Sequence, residues 1–140
     1  MKKLGLFITN IALLSAFIML LMVGYWSLYP YRPASYIQPD KVENKVVKQG
    51  VELVLITDFC RYMPVIPVIS RSFVDGIIYN VPQTVSPTAD VGCYKRRVLI
   101  QVPKTLPVGI YHLHTNFKYK VNPIRDIEIL NESETFQVIK

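Results

Sequence analysis

From Leu4 to about Trp26 the chain carries no charged residue. At about 1.5 Å of rise per residue, a helix of roughly 20 such positions crosses a hydrocarbon layer of about 30 Å. Lys2 and Lys3 precede the run, and Tyr25, Trp26, Tyr29, Tyr31 and Arg32 follow it. Basic residues are retained on the cytoplasmic side, and Tyr and Trp settle at the headgroup level. These seven residues are therefore read as membrane-interface residues, with the N-terminus cytoplasmic and the rest of the chain on the far side. A cleaved signal peptide is the rival, but the run is longer than a usual h-region and Val23-Gly24-Tyr25-Trp26 is a poor small-x-small site. An uncleaved single-pass anchor is expected. Asn10, with Ala12 and Ala16 one turn apart, leaves self-association of the helix open.

The anchor is assigned to residues 1–28, a stiff stalk containing Pro30, Pro33 and Pro39 to 29–41, and one domain to 42–140. Proline removes backbone donors and holds its predecessor extended, so 29–41 cannot be a regular helix. About 110 residues suit one small domain and are too few for two ordinary ones. Of the sixteen Lys and Arg, two precede the anchor, leaving fourteen against ten Asp and Glu. This mild, mixed balance points to no nucleic-acid partner. Lys95-Arg96-Arg97 is a basic step without interleaved aromatics in a groove pattern, and it reads as a charged strand edge.

Beyond Val42 the chain breaks into short β-branched and aromatic runs separated by Gly and Pro, the rhythm of an all-β sandwich or barrel. The clearest strand is Ile110–Val121. Tyr111, Leu113, Phe117, Tyr119 and Val121 share one parity, and His112, His114, Asn116, Lys118 and Lys120 the other. Since side chains alternate across a strand, one face is apolar and one wet, with Thr115 the weak point inside. Val98, Ile100 and Val102 mark a preceding strand, Ile127 and Ile129 a following one, and Phe136 and Val138 the last. Val51–Phe59, apolar on both parities, reads as central. Asp75-Gly76 reads as a two-residue hairpin turn or a bulge.

Leu106-Pro107-Val108-Gly109-Ile110-Tyr111 resembles the corner before the penultimate strand of immunoglobulin-like sandwiches, where an inward Tyr returns its hydroxyl to the corner backbone. The resemblance implies an antiparallel immunoglobulin-like sandwich behind a transmembrane helix, and it implies nothing about function. The anchor, the Cys pair, Gly109-x-Tyr111-x-Leu113 and Tyr119-Lys120-Val121-Asn122-Pro123-Ile124-Arg125 together resemble small uncharacterised membrane-anchored proteins of tailed bacteriophages. That resemblance implies a bacterial envelope setting, with the domain facing the periplasm, and carries no activity.

Cys60 and Cys93 are 33 positions apart, outside redox and four-ligand zinc spacings, and are expected to form a structural disulfide. His112 and His114 leave one strand face together and are weak candidates for a metal pair, since a catalytic zinc needs a third ligand that the spacing does not supply. Asp58, Arg61, Arg71 and Asp75 lie in apolar β segments and could form an ion-paired cluster, an arrangement as often structural as functional. Asn131-Glu132-Ser133 fits a glycosylation sequon. No nucleophile triad, paired-acid spacing or phosphate loop is recognised. The expected function is a membrane-anchored, extracytoplasmic binding or scaffolding module without a cofactor, meeting the bilayer and a protein partner. The alternatives are a small metal-dependent hydrolytic enzyme using His112 and His114, and a phage envelope factor for lysis or superinfection exclusion.

Overall fold

The computed structural model describes residues 2–140, with side chains from Asn10 onward. The side chains of Lys2 and Lys3, expected at the inner interface, lie outside the described residues. In chain order the elements are α1 (Lys2–Leu28), β1 (Ala34–Tyr36), β2 (Lys41–Val42), β3 (Val46–Lys48), β4 (Glu52–Arg61), β5 (Val68–Val74), β6 (Ile78–Val85), β7 (Gly92–Gln101), β8 (Gly109–Asn122), β9 (Arg125–Glu132) and β10 (Phe136–Ile139). They form two compact units, α1 through Tyr31 with the turn 122–125, and Arg32–Val121 with Asp126–Lys140.

In the first unit, the stretch Asn10–Leu28 is long and apolar enough to cross a membrane, and none of its residues is buried within the protein. Leu14, Phe17, Met19 and Leu20 are all exposed, as a bilayer-facing helix requires. The hydroxyl of Ser15 donates to the Ala12 carbonyl at 2.8 Å, so it needs no partner from outside the helix. At the C-terminal end, where the last carbonyls of a helix lack partners, Asn122 Nδ2 donates to Trp26 O at 3.0 Å. Arg125 donates to Ser27 O at 3.0 Å and Tyr29 O at 2.9 Å, placing a cation at the negative end of the helix dipole.

The second unit is two β-sheets. In one, β4 is central, with β7 paired along its length and β1 and β2 sharing its other side. In the other, the order is β3-β10-β8-β5-β6, with β9 also beside β8. All registered pairs are antiparallel except β10 with β3, which departs from the antiparallel expectation. The Pro-rich stretch expected to be a stalk is different in its second half. Ala34, Ser35 and Tyr36 pair with Arg61, Cys60 and Phe59, and Ala34 is buried. Pairing with a distant strand outweighs the local extended, unpartnered character that proline imposes. The β5–β6 connection is a hairpin, not a bulge, with three residues between Val74 and Ile78. Gly76 takes a φ of 105°, open to glycine at little cost. The bulge lies further along β6, at Pro82-Gln83, where Ile69 faces Thr84 and Arg71 faces Val81. As an edge strand, β6 tolerates a proline there.

Both sheets feed one apolar cluster. Leu53, Leu55, Ile100 and Val102 come from one sheet and Phe73, Tyr111, Leu113, Phe136 and Val138 from the other. Each such side chain removed from water contributes about 1.5–3 kcal/mol before entropy is counted. Tyr111 is fully buried and donates its hydroxyl to Pro107 O at 3.0 Å. A second cluster holds Ala34, Ile69, Phe117 and Tyr119, with Tyr36 against it. One margin of the two sheets is laced by backbone bonds, Asp40 N to Glu132 O and Glu134 N to Asp40 O, each 2.8 Å. At the other margin β6 and β7 are unpaired edges, and a cleft lies between them.

Candidate functional site

The inward parity of three strands turns polar between the two apolar clusters. On β4 it reads Leu53, Leu55, Thr57, Phe59, Arg61; on β5, Ile69, Arg71, Phe73; on β8, Leu113, Thr115, Phe117. Arg71 sits opposite Thr115 across β5 and β8, and Thr57 opposite Arg96 across β4 and β7. The resulting polar seam opens between β6 and β7 into a cleft of about 480 Å³. Phe59, Ile69 and Phe117 supply apolar walls, and Arg61, Arg71, Arg96, Asp40 and the Glu43-paired Arg97 supply charge.

Arg61 is 3 % exposed. Its guanidinium donates to the Thr88 carbonyl and to Ser86 Oγ at 3.2 Å, stands 5.8 Å from the Phe59 ring, and has no partner at Nε. Arg71 donates to Thr84 Oγ1 at 3.0 Å. Burial lowers its pKa, against the raising effect of the Asp40 charge. Arg96 donates to Thr88 Oγ1 at 2.9 Å and lies over the rings of Phe59 and Tyr94 at 5.6 and 5.3 Å. Among the described residues, none of these three guanidinium groups has a carboxylate within 4.0 Å. A guanidinium withdrawn from water without a counter-charge costs free energy, so three around one cleft form a site suited to an incoming anion.

Asp40 is the acid of the cleft. It is 3 % exposed, and its Oδ1 has no hydrogen-bond partner. Burial pushes its pKa up to about 6, against the lowering influence of Asn131, Thr57 and Arg71. Tyr36 and Tyr119 bond hydroxyl to hydroxyl at 2.6 Å beside the cleft, and burial raises the pKa of both, so they remain neutral.

The ion-paired cluster that the sequence left open to Asp58, Arg61, Arg71 and Asp75 is not formed. Asp58 has outward parity and pairs with Lys95 at 3.8 Å, while the Asp75 carboxylate accepts from the Ile77 amide in the hairpin turn. Strand parity separates these residues. Arg61 and Arg71 alone meet at the cleft. Asp40 and Thr57 were not singled out by the sequence, and Thr115 stood out only as a break in the apolar parity of β8, although a Thr on an apolar parity is the available signal. Cys60 and Cys93 are directly opposed on β4 and β7 and are joined by a disulfide. In the basic step, Lys95 and Arg97 are exposed, and Arg97 pairs with Glu43 at 2.8 Å at the rim of the cleft; Arg96 is half-buried in its lining.

His112 and His114 do come together on β8, their Nε2 atoms 3.0 Å apart, with His114 Nε2 3.2 Å from Glu132 Oε1. Among the described residues, no group of three His, Cys, Asp or Glu is placed to hold a metal ion. Asn131 of the sequon is fully buried and therefore not presented for modification. Tyr25, in the last turn of α1, and Tyr29 and Tyr31 beyond it form a run of ring contacts, with centroids 5.2 and 4.8 Å apart. No protein-family model, curated protein or solved structure matches the chain.

Proposed function

We propose that the chain is a single-pass, membrane-anchored binding module that takes its partner at the cleft between β6 and β7. The observation that carries this reading is the set of three guanidinium groups, Arg61, Arg71 and Arg96, turned toward one cleft with, among the described residues, no carboxylate within 4.0 Å of any of them and Asp40 as the one acid in its lining. Their hydrogen bonds to Ser86, Thr84 and Thr88 tie the 84–88 segment to the sheets but supply no counter-charge.

The setting is the outer side of a bacterial inner membrane, with the N-terminus cytoplasmic. Its support is the basic start before an apolar helix, and a disulfide of the kind that persists in oxidising compartments. The Tyr111 to Pro107 hydrogen bond supports an immunoglobulin-like sandwich, and the motif resemblance favours the membrane-anchored proteins of tailed phages. The approach of His112 to His114 favours the metal-dependent hydrolase as a second reading. Metal analysis of the purified chain separates the two, since the binding module carries no stoichiometric zinc.

The test is site-specific photo-crosslinking of the full chain in its own membrane. A photoreactive residue at Leu99, which is exposed and lines the cleft, is compared with one at Ile110, which is exposed and outside its lining. Discrete adducts from position 99, weakened by Arg71→Gln and missing from position 110, are expected. No adduct at 99, or the same adducts at both positions, contradicts the reading.

A further inference from the structure

We infer that the cleft binds a small organic carboxylate, a single anionic head on an apolar body. The inference rests on the binding-module reading and gives its ligand a chemistry. Three features combine. First, the charge at the cleft is net positive: Arg61, Arg71 and Arg96 lack carboxylate partners within 4.0 Å, Asp40 acts on Arg71 only from further off, and Arg61, although 97 % withdrawn from solvent, retains an unpaired Nε donor. A guanidinium presents its donors in a planar fork, the geometry that a carboxylate meets with two parallel hydrogen bonds.

Second, the walls around that charge are apolar and aromatic. Phe59, Ile69 and Phe117 line the space, so an inorganic anion would satisfy the donors and leave most of the wall uncovered. A volume of about 480 Å³ lies within the usual range of small-ligand pockets, which are mostly apolar with a few placed polar groups. Third, Asp40 lines the same cleft with one oxygen unpaired. Its oxygen can accept from a hydroxyl on the ligand, and its charge disfavours a dianion over a monoanion. The ligand is thus defined by one carboxylate, by an apolar or aromatic body, and by modest size.

The test uses the full chain in lipid nanodiscs, titrated with 3-phenylpropanoate, with its neutral counterpart 3-phenylpropan-1-ol, and with inorganic phosphate. Binding is followed through the Arg side-chain Nε–H and Thr115 amide resonances. The carboxylate is expected to saturate and to shift Arg71 and Thr115. It should bind at least tenfold more tightly than the alcohol, and lose at least tenfold in Arg71→Gln. Arg96→Gln, at a half-buried position on an edge strand, gives the same comparison if the first variant folds poorly. Equal binding of acid and alcohol, or phosphate shifting the same resonances as strongly, overturns the inference. So does the absence of any shift. If the small acid fails while crosslinks at position 99 persist, this inference falls and the binding module stands; if both fail, both fall.

Discussion

The rings of Tyr36 and Phe117 stack across the space between the two sheets, with centroids 4.1 Å apart and planes 15° from parallel. Tyr36 comes from the short β1 and Phe117 from the long β8, so this contact ties the Pro-flanked segment to the second sheet. Phe59 continues the stack, 5.5 Å from Tyr36. Removing the Phe117 ring loses both its transfer energy and its packing, and leaves a cavity at the cleft wall. Phe117→Ala is expected to destabilise by about 3–5 kcal/mol in chemical denaturation. Lys118→Ala, on the opposite parity and bonded to Asp126 at 3.1 Å, should leave the denaturation midpoint close to wild type. Equal losses for the two would show that β8 is in the wrong register.

The Cys60–Cys93 bond closes a 33-residue separation between neighbouring strands. On the chain-entropy account, a crosslink of this span restricts the unfolded chain by about 3–4 kcal/mol. Replacing both residues with Ser should lower the unfolding midpoint accordingly. Intact mass after alkylation without reductant should show no labelled thiol in protein taken from outside the cytoplasm.

Asp40 gives a pH signature. Its folded pKa, about 6, lies above the ordinary value of 3.8, so the folded state holds the proton more tightly than the unfolded chain does. Stability from this group is therefore present below about pH 4, falls as pH rises from about 4 to 6, and is gone above that. At about 1.4 kcal/mol per pKa unit, the fall is at most about 3 kcal/mol. Asp40→Asn should flatten that segment of the stability profile, measured by urea unfolding at a series of pH values; an unchanged slope would assign it to other groups.

The anchor predicts topology. A reporter active only outside the cytoplasm, fused after Lys140, should be active, and the chain should remain with membranes after a carbonate wash. An inactive reporter, or a shortened soluble product, contradicts the orientation or the uncleaved anchor.

Strand β8 was legible from the sequence because alternation is a local signal: Tyr111, Leu113, Phe117 and Tyr119 are buried, and Lys118 and Lys120 exposed, as their parity predicts. β1 was not legible, because Pro33 and Pro39 dominate the local pattern while its partners, Phe59 to Arg61, lie more than 20 residues away. The site was legible in fragments. Arg61 and Arg71 stood out as charges in apolar segments, but pairing them with Asp58 and Asp75 required side-chain directions that sequence distance does not encode. Asp40 carries no local mark, and Arg96 stood out only within a basic step read as a strand edge, since the burial of both arises only when two sheets meet.

The central claim is that the guanidinium groups of the cleft are held for a partner and not for the fold. Arg71 tests it best, because among the described residues its one side-chain hydrogen bond is to an exposed threonine, Thr84, and burial disfavours its charge. Replacing it with Met keeps much of the apolar stem and removes a charge that burial disfavours more than Asp40 supports. Thermal unfolding of the unliganded full chain should then show a midpoint for Arg71→Met equal to or above that of the wild type. A midpoint several degrees lower would show that Arg71 supports the fold itself, and would contradict the account.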